Sequence, residues 1–290
     1  MSDKKKILIT GASSGFGLGA SKALAAKGHV VFASMRGPAG KNAAQAQALR
    51  DFATQGQHAL HIVEIDVTQD SSVASGVEQM IAAVGGIDIL INNAGVGTWG
   101  LQEGFTPDQV KNLFDINVVG PLRMNRAVLP HMRRAGGGYI VYVSSGLGRI
   151  QFPFLGPYTA SKHAVEAIAE SGAYELTPQG IDTTILQPGA YGTSFLSNSI
   201  HPKDGALIED QPAVKAMFTA FAGGFEARAK SGQLGNPQEI IDALVELVEL
   251  PKSDRPLRKT VGADVQGPVR AINERCAEVQ GELLRMFGIR

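Results

Sequence analysis

A single cysteine, Cys276, stands in 290 residues. One thiol can build neither an intrachain disulfide nor a multi-cysteine metal site, and its scarcity points to a reducing, cytoplasmic setting with no metal centre. Excess charge is also lacking. The 27 basic residues balance the 27 acidic ones, with 19% charged and 44% hydrophobic overall, which excludes both the positive field that nucleic acid needs and the polar surplus of a disordered chain. Long apolar runs are missing too. The basic start Met1-Ser2-Asp3-Lys4-Lys5-Lys6 is followed by only a short apolar stretch before Gly11, too short for a signal-peptide core. Nothing approaches the roughly 18 uninterrupted apolar residues of a membrane-crossing helix. These absences leave a chain with no nucleic-acid or membrane partner, built around a substantial core and serving a small molecule. No internal repeat, low-complexity linker or Pro/Gly/Ser-rich hinge divides it, so a single domain over residues 1–290 is expected.

What is present is a rhythm. Short β-branched runs at residues 7–10, 30–34, 60–65, 87–91, 139–143 and 182–186 alternate with helix-compatible stretches at 14–27, 41–55, 71–84, 107–135 and 160–178. Such alternation signals βαβ units and a parallel sheet, and runs as apolar as Ile-Asp-Ile-Leu-Ile suit strands covered on both faces. Residues 190–235 break the rhythm, being rich in Gly, Pro, Phe and Met without a steady period. A segment of that length reads as a substrate lid. Beyond it, residues 238–250 suggest a helix, 258–261 a last strand and 269–287 a terminal helix, within an extension over 262–290.

Directly after the first strand comes Thr10-Gly11-Ala12-Ser13-Ser14-Gly15-Phe16-Gly17, opening into an Ala-rich helix. Glycines there let the backbone turn tightly and approach a pyrophosphate, whose charge the amides of a helix N-terminus receive. The shorter pattern Gly15-x-Gly17-x-x-Ala20 also occurs, but it begins four residues late, so the longer spacing sets the register. In dinucleotide folds an acid ending the second strand favours NAD, whereas an Arg accommodates the extra phosphate of NADP. This strand ends Ser34-Met35-Arg36, with no Asp or Glu between Val30 and Arg50. NADP(H) is therefore the expected cofactor, Arg36 gripping the 2′-phosphate beside Ser13, Ser14 or Ser34, with NAD(H) also admitted. Arg36 as a solvated surface residue is the competing reading.

Further along, Tyr158-Thr159-Ala160-Ser161-Lys162 places a phenol and an ammonium four residues apart, on one helix face. There the lysine can favour phenolate and draw the tyrosine pKa down from about 10, as general acid–base catalysis wants.

The glycine turn, with the later motifs, resembles the short-chain dehydrogenase/reductase family in its compact single-domain branch. That resemblance implies a Rossmann-type doubly wound α/β sheet of about seven parallel strands flanked by helices. It assigns Tyr158 as general acid/base and Lys162 as the group that lowers its pKa and binds nicotinamide ribose. Ser145, 13 residues upstream, would hold the substrate oxygen, and Asn117 would support a proton relay through water; Ser144 and a local backbone bond for Asn117 are the plainer alternatives. Further cofactor contacts are implied at Gly11, Ser13, Ser14, Gly15, Phe16, Gly17, Asp66, Val67, Asn93, Ala94, Gly95, Pro188, Gly189 and Thr193. Taken alone, Asp66 is equally a cap for Thr68, and Asn-Ala-Gly an ordinary turn.

On the substrate side, Phe152, Phe154, Leu155, Tyr191, Phe195, Leu196, Met217, Phe218, Phe221 and residues 96–99 fall in segments the family uses to shape its pocket. They suit an apolar carbonyl or alcohol, and equally suit core or subunit contacts. Phe-Pro-Phe before Tyr158 and Arg-Pro-Leu-Arg near the end are similar to the hydroxysteroid and retinol dehydrogenase subgroup. Homodimers or homotetramers are what the family leads one to expect. Two other readings compete: an NADP-sensing or scaffold protein without turnover, and a sugar-nucleotide epimerase of the extended branch. Sensors typically lose the tyrosine or lysine, and epimerases have a shorter glycine turn.

Overall fold

The computed structural model describes residues 4–192 and 198–288. Seven strands form one fully parallel sheet in the order β3-β2-β1-β4-β5-β6-β7. They are β1 (Lys6–Ile9), β2 (Val30–Met35), β3 (Leu60–Glu64), β4 (Ile89–Asn92), β5 (Gly138–Val143), β6 (Ile181–Pro188) and β7 (Arg258–Val261). The strand order reverses between β1 and β4, which opens a crevice at their carboxyl ends, where ligands of doubly wound sheets bind.

Alternation along each strand feeds two separate apolar layers. Ile7, Ile9, Val31, Ile89, Ile91 and Val141 face α1 (Gly15–Ala26), α2 (Ala43–Gly56) and α8 (Pro237–Glu249). Leu8, Phe32, Leu90, Ile140 and Ile185 face α3 (Asp70–Val84), α5 (Gly120–Arg134) and α6 (Gly156–Leu176). Each fully buried aliphatic in these layers contributes about 1.5 to 3 kcal/mol. Among the described residues no helix is long and apolar enough to cross a membrane.

The helices depart from the sequence expectation in four places. The expected helix at 107–135 is α4 (Pro107–Phe114), a wide π-type turn (Asp115–Val119) and α5, run together. α6 begins at Gly156 rather than 160, because Pro157 in its first turn needs no amide partner. The irregular 190–235 segment contains a 19-residue helix, α7 (Pro212–Lys230). The terminal helix, α9 (Ala263–Met286), starts six residues before the expected position and carries Pro268 inside it.

Candidate active site

Thr10 closes β1 and ties two motifs together. Its hydroxyl accepts the amides of Asn93 and Ala94, both at 3.0 Å, while Asn93 Nδ2 donates to the carbonyls of Thr10 (2.8 Å) and Gly11 (3.1 Å). The Asn-Ala-Gly segment after β4 thus buttresses the glycine turn. Only glycine fits at two of its positions. Gly11 has φ +68° with Ala94 Cα 2.8 Å from where a Cβ would lie, and a Cβ on Gly17 would come within 2.4 Å of Asn93 Nδ2. The backbone is drawn in so tightly that the turn, with α1 behind it, forms a cradle fit for a pyrophosphate.

Around this cradle stand the remaining expected cofactor contacts. Arg36 is exposed at the end of β2, and Ser13 and Ser14 lie in the turn, Ser14 exposed. Asp66 Oδ1 accepts both the amide (3.0 Å) and the hydroxyl (2.8 Å) of Thr68, a turn bond ahead of α3, whose own cap position is Gln69. Partial burial pushes the Asp66 carboxyl up, but these bonds and the charges of Arg36 and Lys41 outweigh it and hold the pKa low. Val67 is buried against Gly120. Pro188 ends β6, and the Gly189 amide donates to Val261 O at 2.8 Å. Phe16 stacks edge-on with Tyr191, ring centroids 5.7 Å apart.

The residues expected to transfer protons converge from three elements. Ser145 follows β5, and its hydroxyl accepts the Leu147 amide at 3.1 Å and hydrogen-bonds Tyr158. Ser144, its neighbour, turns instead to Glu166, donating to Oε1 at 2.8 Å. Tyr158 and Lys162 occupy successive turns of α6, both buried, with Lys162 Nζ 5.7 Å from the phenol ring centre and donating to Val143 O at 2.9 Å. Asn117 lies in the π-type turn, a distortion common at functional sites. Its bonds are long-range rather than local. Oδ1 accepts the Val96 amide at 2.9 Å, and Nδ2 donates to Val96 O (2.9 Å) and Ser161 Oγ (3.0 Å).

Burial acts on both titrating groups. It drives the Tyr158 phenol above its ordinary 10, opposed by the Ser145 hydrogen bond, and drives Lys162 down from 10.5 to about 8, opposed by the charge of Glu166. Surrounded by the protein's own groups, the phenol therefore keeps its proton, rather than being drawn toward phenolate as the Tyr–Lys spacing alone suggests.

Aromatic residues gather beside this group. Trp99 stacks on Phe221 (5.2 Å) and meets Phe225 edge-on (5.7 Å), Phe154 meets Phe218 (5.0 Å) and Phe221 (5.9 Å), and Phe152 lies 6.3 Å from Phe221. Tyr191 stands apart from them, its hydroxyl donating to Glu239 Oε2 at 3.1 Å and its ring against Phe16. Thr193 and Phe195, with Leu196, lie outside the described residues. Thr98, within the 96–99 pocket segment, accepts the Tyr158 amide on Oγ1 at 3.1 Å, and three contributors escaped the sequence reading: Ser161, Glu166 and Phe225. Phe225 had a signal, since 218, 221 and 225 share one helix face.

Comparison with known proteins agrees with this fold. A family model described as short chain dehydrogenase matches residues 5–204. An uncharacterized oxidoreductase, YusZ, of Bacillus subtilis (strain 168) is 35% identical over 247 residues, 84% of this chain and 85% of that one. Mouse 17-beta-hydroxysteroid dehydrogenase type 1 is 31% identical over 255 residues, 86% of this chain and 72% of that protein. Among solved structures, a short-chain dehydrogenase from Streptomyces avermitilis superposes with a TM-score of 0.74 at 29% identity, covering 99% of this chain and 98% of that one. The chain belongs to the short-chain dehydrogenase family and is an NAD(P)-dependent oxidoreductase.

Proposed function

We propose that the protein interconverts a carbonyl and an alcohol on an apolar small molecule, with Tyr158 as the general acid/base. The observation that carries this is the buried phenol hydrogen-bonded to Ser145, one helical turn from Lys162, at the carboxyl end of a sheet that also bears a pyrophosphate cradle. When bound, a nicotinamide supplies or accepts the hydride. In reduction, Ser145 donates to the substrate oxygen and Tyr158 passes its proton to that oxygen as negative charge develops. In oxidation, Tyr158 acts as phenolate and takes the alcohol proton back, becoming phenol again. Lys162 supplies positive charge beside the phenol and a hand-hold for ribose hydroxyls, and Asn117 supports the route by which the phenol recovers its proton from water.

NADP(H) is the preferred cofactor in this proposal and NAD(H) is admitted, because Arg36 ends β2 where an acid would select NAD. The Trp99, Phe152, Phe154, Phe218 and Phe221 wall suits a flat apolar substrate, and the mouse relative's name specifies a hydroxysteroid. A reducing cytoplasmic setting and assembly as a homodimer or homotetramer complete the proposal, supported by the lone Cys276 and by family resemblance.

NADPH absorbance decay against a panel of ketones, aldehydes and quinones tests the reaction class. Tyr158→Phe is expected to cut turnover by about 100- to 10,000-fold while NADPH still binds. Near-wild-type turnover in that variant, or silence of the wild type across the panel, overturns the reading.

A further inference from the structure

α6 carries a second buried charge on the same stripe as the phenol and the ammonium. Glu166 follows Lys162 by four residues, as Lys162 follows Tyr158, so the three succeed one another down a single helix face. Each takes hold of a different residue leaving β5. Lys162 Nζ binds the carbonyl of Val143, Glu166 Oε1 the hydroxyl of Ser144, and Tyr158 the hydroxyl of Ser145. The turn that follows is pressed on the same carboxylate, for a Cβ on Gly148 would lie 2.3 Å from Glu166 Oε1.

A carboxylate only 2% exposed is costly unless it is paired and hydrogen-bonded, and this one is heavily served. Arg149, after β5, and Arg258, on β7, each bring Nε within 3.3 Å of Oε2. Gln187 on β6 donates Nε2 to both oxygens, at 2.9 and 3.0 Å. Asn273 on α9 extends the set, donating to Gln187 Oε1 at 2.7 Å and accepting from Arg149 Nε at 3.0 Å. Glu170, one turn further along α6, shares both arginines. Three segments, the turn after β5, β6 and β7, thus bring polar groups to one side chain next to the reacting residues, with Asn273 of α9 bonded behind them.

On the reading of Tyr158, Ser145 and Lys162 given above, we infer that Glu166 is a positioning residue for carbonyl–alcohol interconversion: it locks Ser144 and the turn beyond, fixing the Ser145 hydroxyl against the phenol, and sets a negative charge one turn from Lys162. The charged and titratable groups facing it are Tyr158, Lys162 and Glu170 from its own helix, Arg149 from the turn after β5 and Arg258 from β7. Its carboxylate opposes the downward push of burial on Lys162, so removing the charge lets Lys162 release its proton at lower pH.

The test compares Glu166→Gln, Ser144→Ala and Tyr158→Phe in the full chain, with NADPH and the best carbonyl compound of the panel. Glu166→Gln should lower kcat about 10- to 100-fold, the scale of a misplacement near 1 Å, with the Kd for NADPH, read by nicotinamide fluorescence, within about threefold of wild type. Its alkaline limb in kcat should move to lower pH. Ser144→Ala keeps the arginines paired and should lower kcat without moving that limb. A folded Glu166→Gln enzyme with wild-type kcat and pH profile, whatever its Tm, overturns the inference. Should Glu166→Gln fail to fold, Ser144→Ala decides: wild-type kcat overturns the inference, and a lower kcat at unchanged NADPH affinity supports it. An inactive Tyr158→Phe beside an unimpaired Glu166→Gln removes Glu166 alone, whereas an active Tyr158→Phe removes the underlying reading and the inference with it.

Discussion

The phenol of Tyr158 sits where its proton is retained, and Lys162 where its proton is loosely held, because burial penalises the charged form of each. For the lysine this has a thermodynamic sign. A folded Lys162 titrates near 8 and an unfolded lysine near 10.5, so between those values the unfolded chain binds more protons and this group makes stability rise with pH. Lys162→Met is expected to flatten that rise, read as urea midpoints collected across the window. At the other end of the cleft, Arg36→Ala should weaken NADPH relative to NADH by about tenfold, through loss of a charge-assisted fork on the 2′-phosphate; steady-state KM values for both cofactors check it. Tyr158, Lys162, Gly11 and Gly17 were legible because their chemistry is written in local spacing. Glu166, Ser161 and the bond from Tyr158 to Thr98 were not, because their partners lie 22, 44 and 60 residues away and only the fold brings them together. An acid set among Val165, Ala167 and Ile168 was the one trace that Glu166 left in the sequence.

Elements differ in how firmly they are built in. α1, α3, α5, α6 and α8 each bury several side chains against the sheet, whereas α7 buries none completely and is held through its Phe218, Phe221 and Phe225 face. Phe221→Ala should therefore cost only about 1 kcal/mol of global stability, yet raise the KM for an apolar substrate several-fold and expose α7 to limited proteolysis. Equal losses in denaturation and in KM would argue against a separable α7. The sequence hid this helix because two adjacent glycines, Gly223 and Gly224, and the flanking irregular stretch mask a three-aromatic face. It hid the π-type turn at Asn117 for a different reason. A one-residue widening leaves no mark on hydrophobic period, and it shows only in what Asn117 reaches.

At the scale of the whole molecule, the alternation of short apolar runs with amphipathic stretches made the parallel sheet legible, but not the strand order, which depends on how crossovers pack. Balanced charge has a bulk consequence as well. With 27 positive and 27 negative side chains, solubility should pass through a minimum near neutral pH and recover on either side, as measured by light scattering across a pH series. The weak seating of α7 bears on descent as much as on kinetics. The residues proposed to move protons sit on the deeply buried α6 and in the turn leaving β5, where the fold cannot spare them, while part of the aromatic wall beside them is borne by a helix that the two apolar layers scarcely notice. On the proposed function, lineages of such a protein would be free to change diet while keeping their chemistry, accumulating substitutions along α7 at little risk to the folded state.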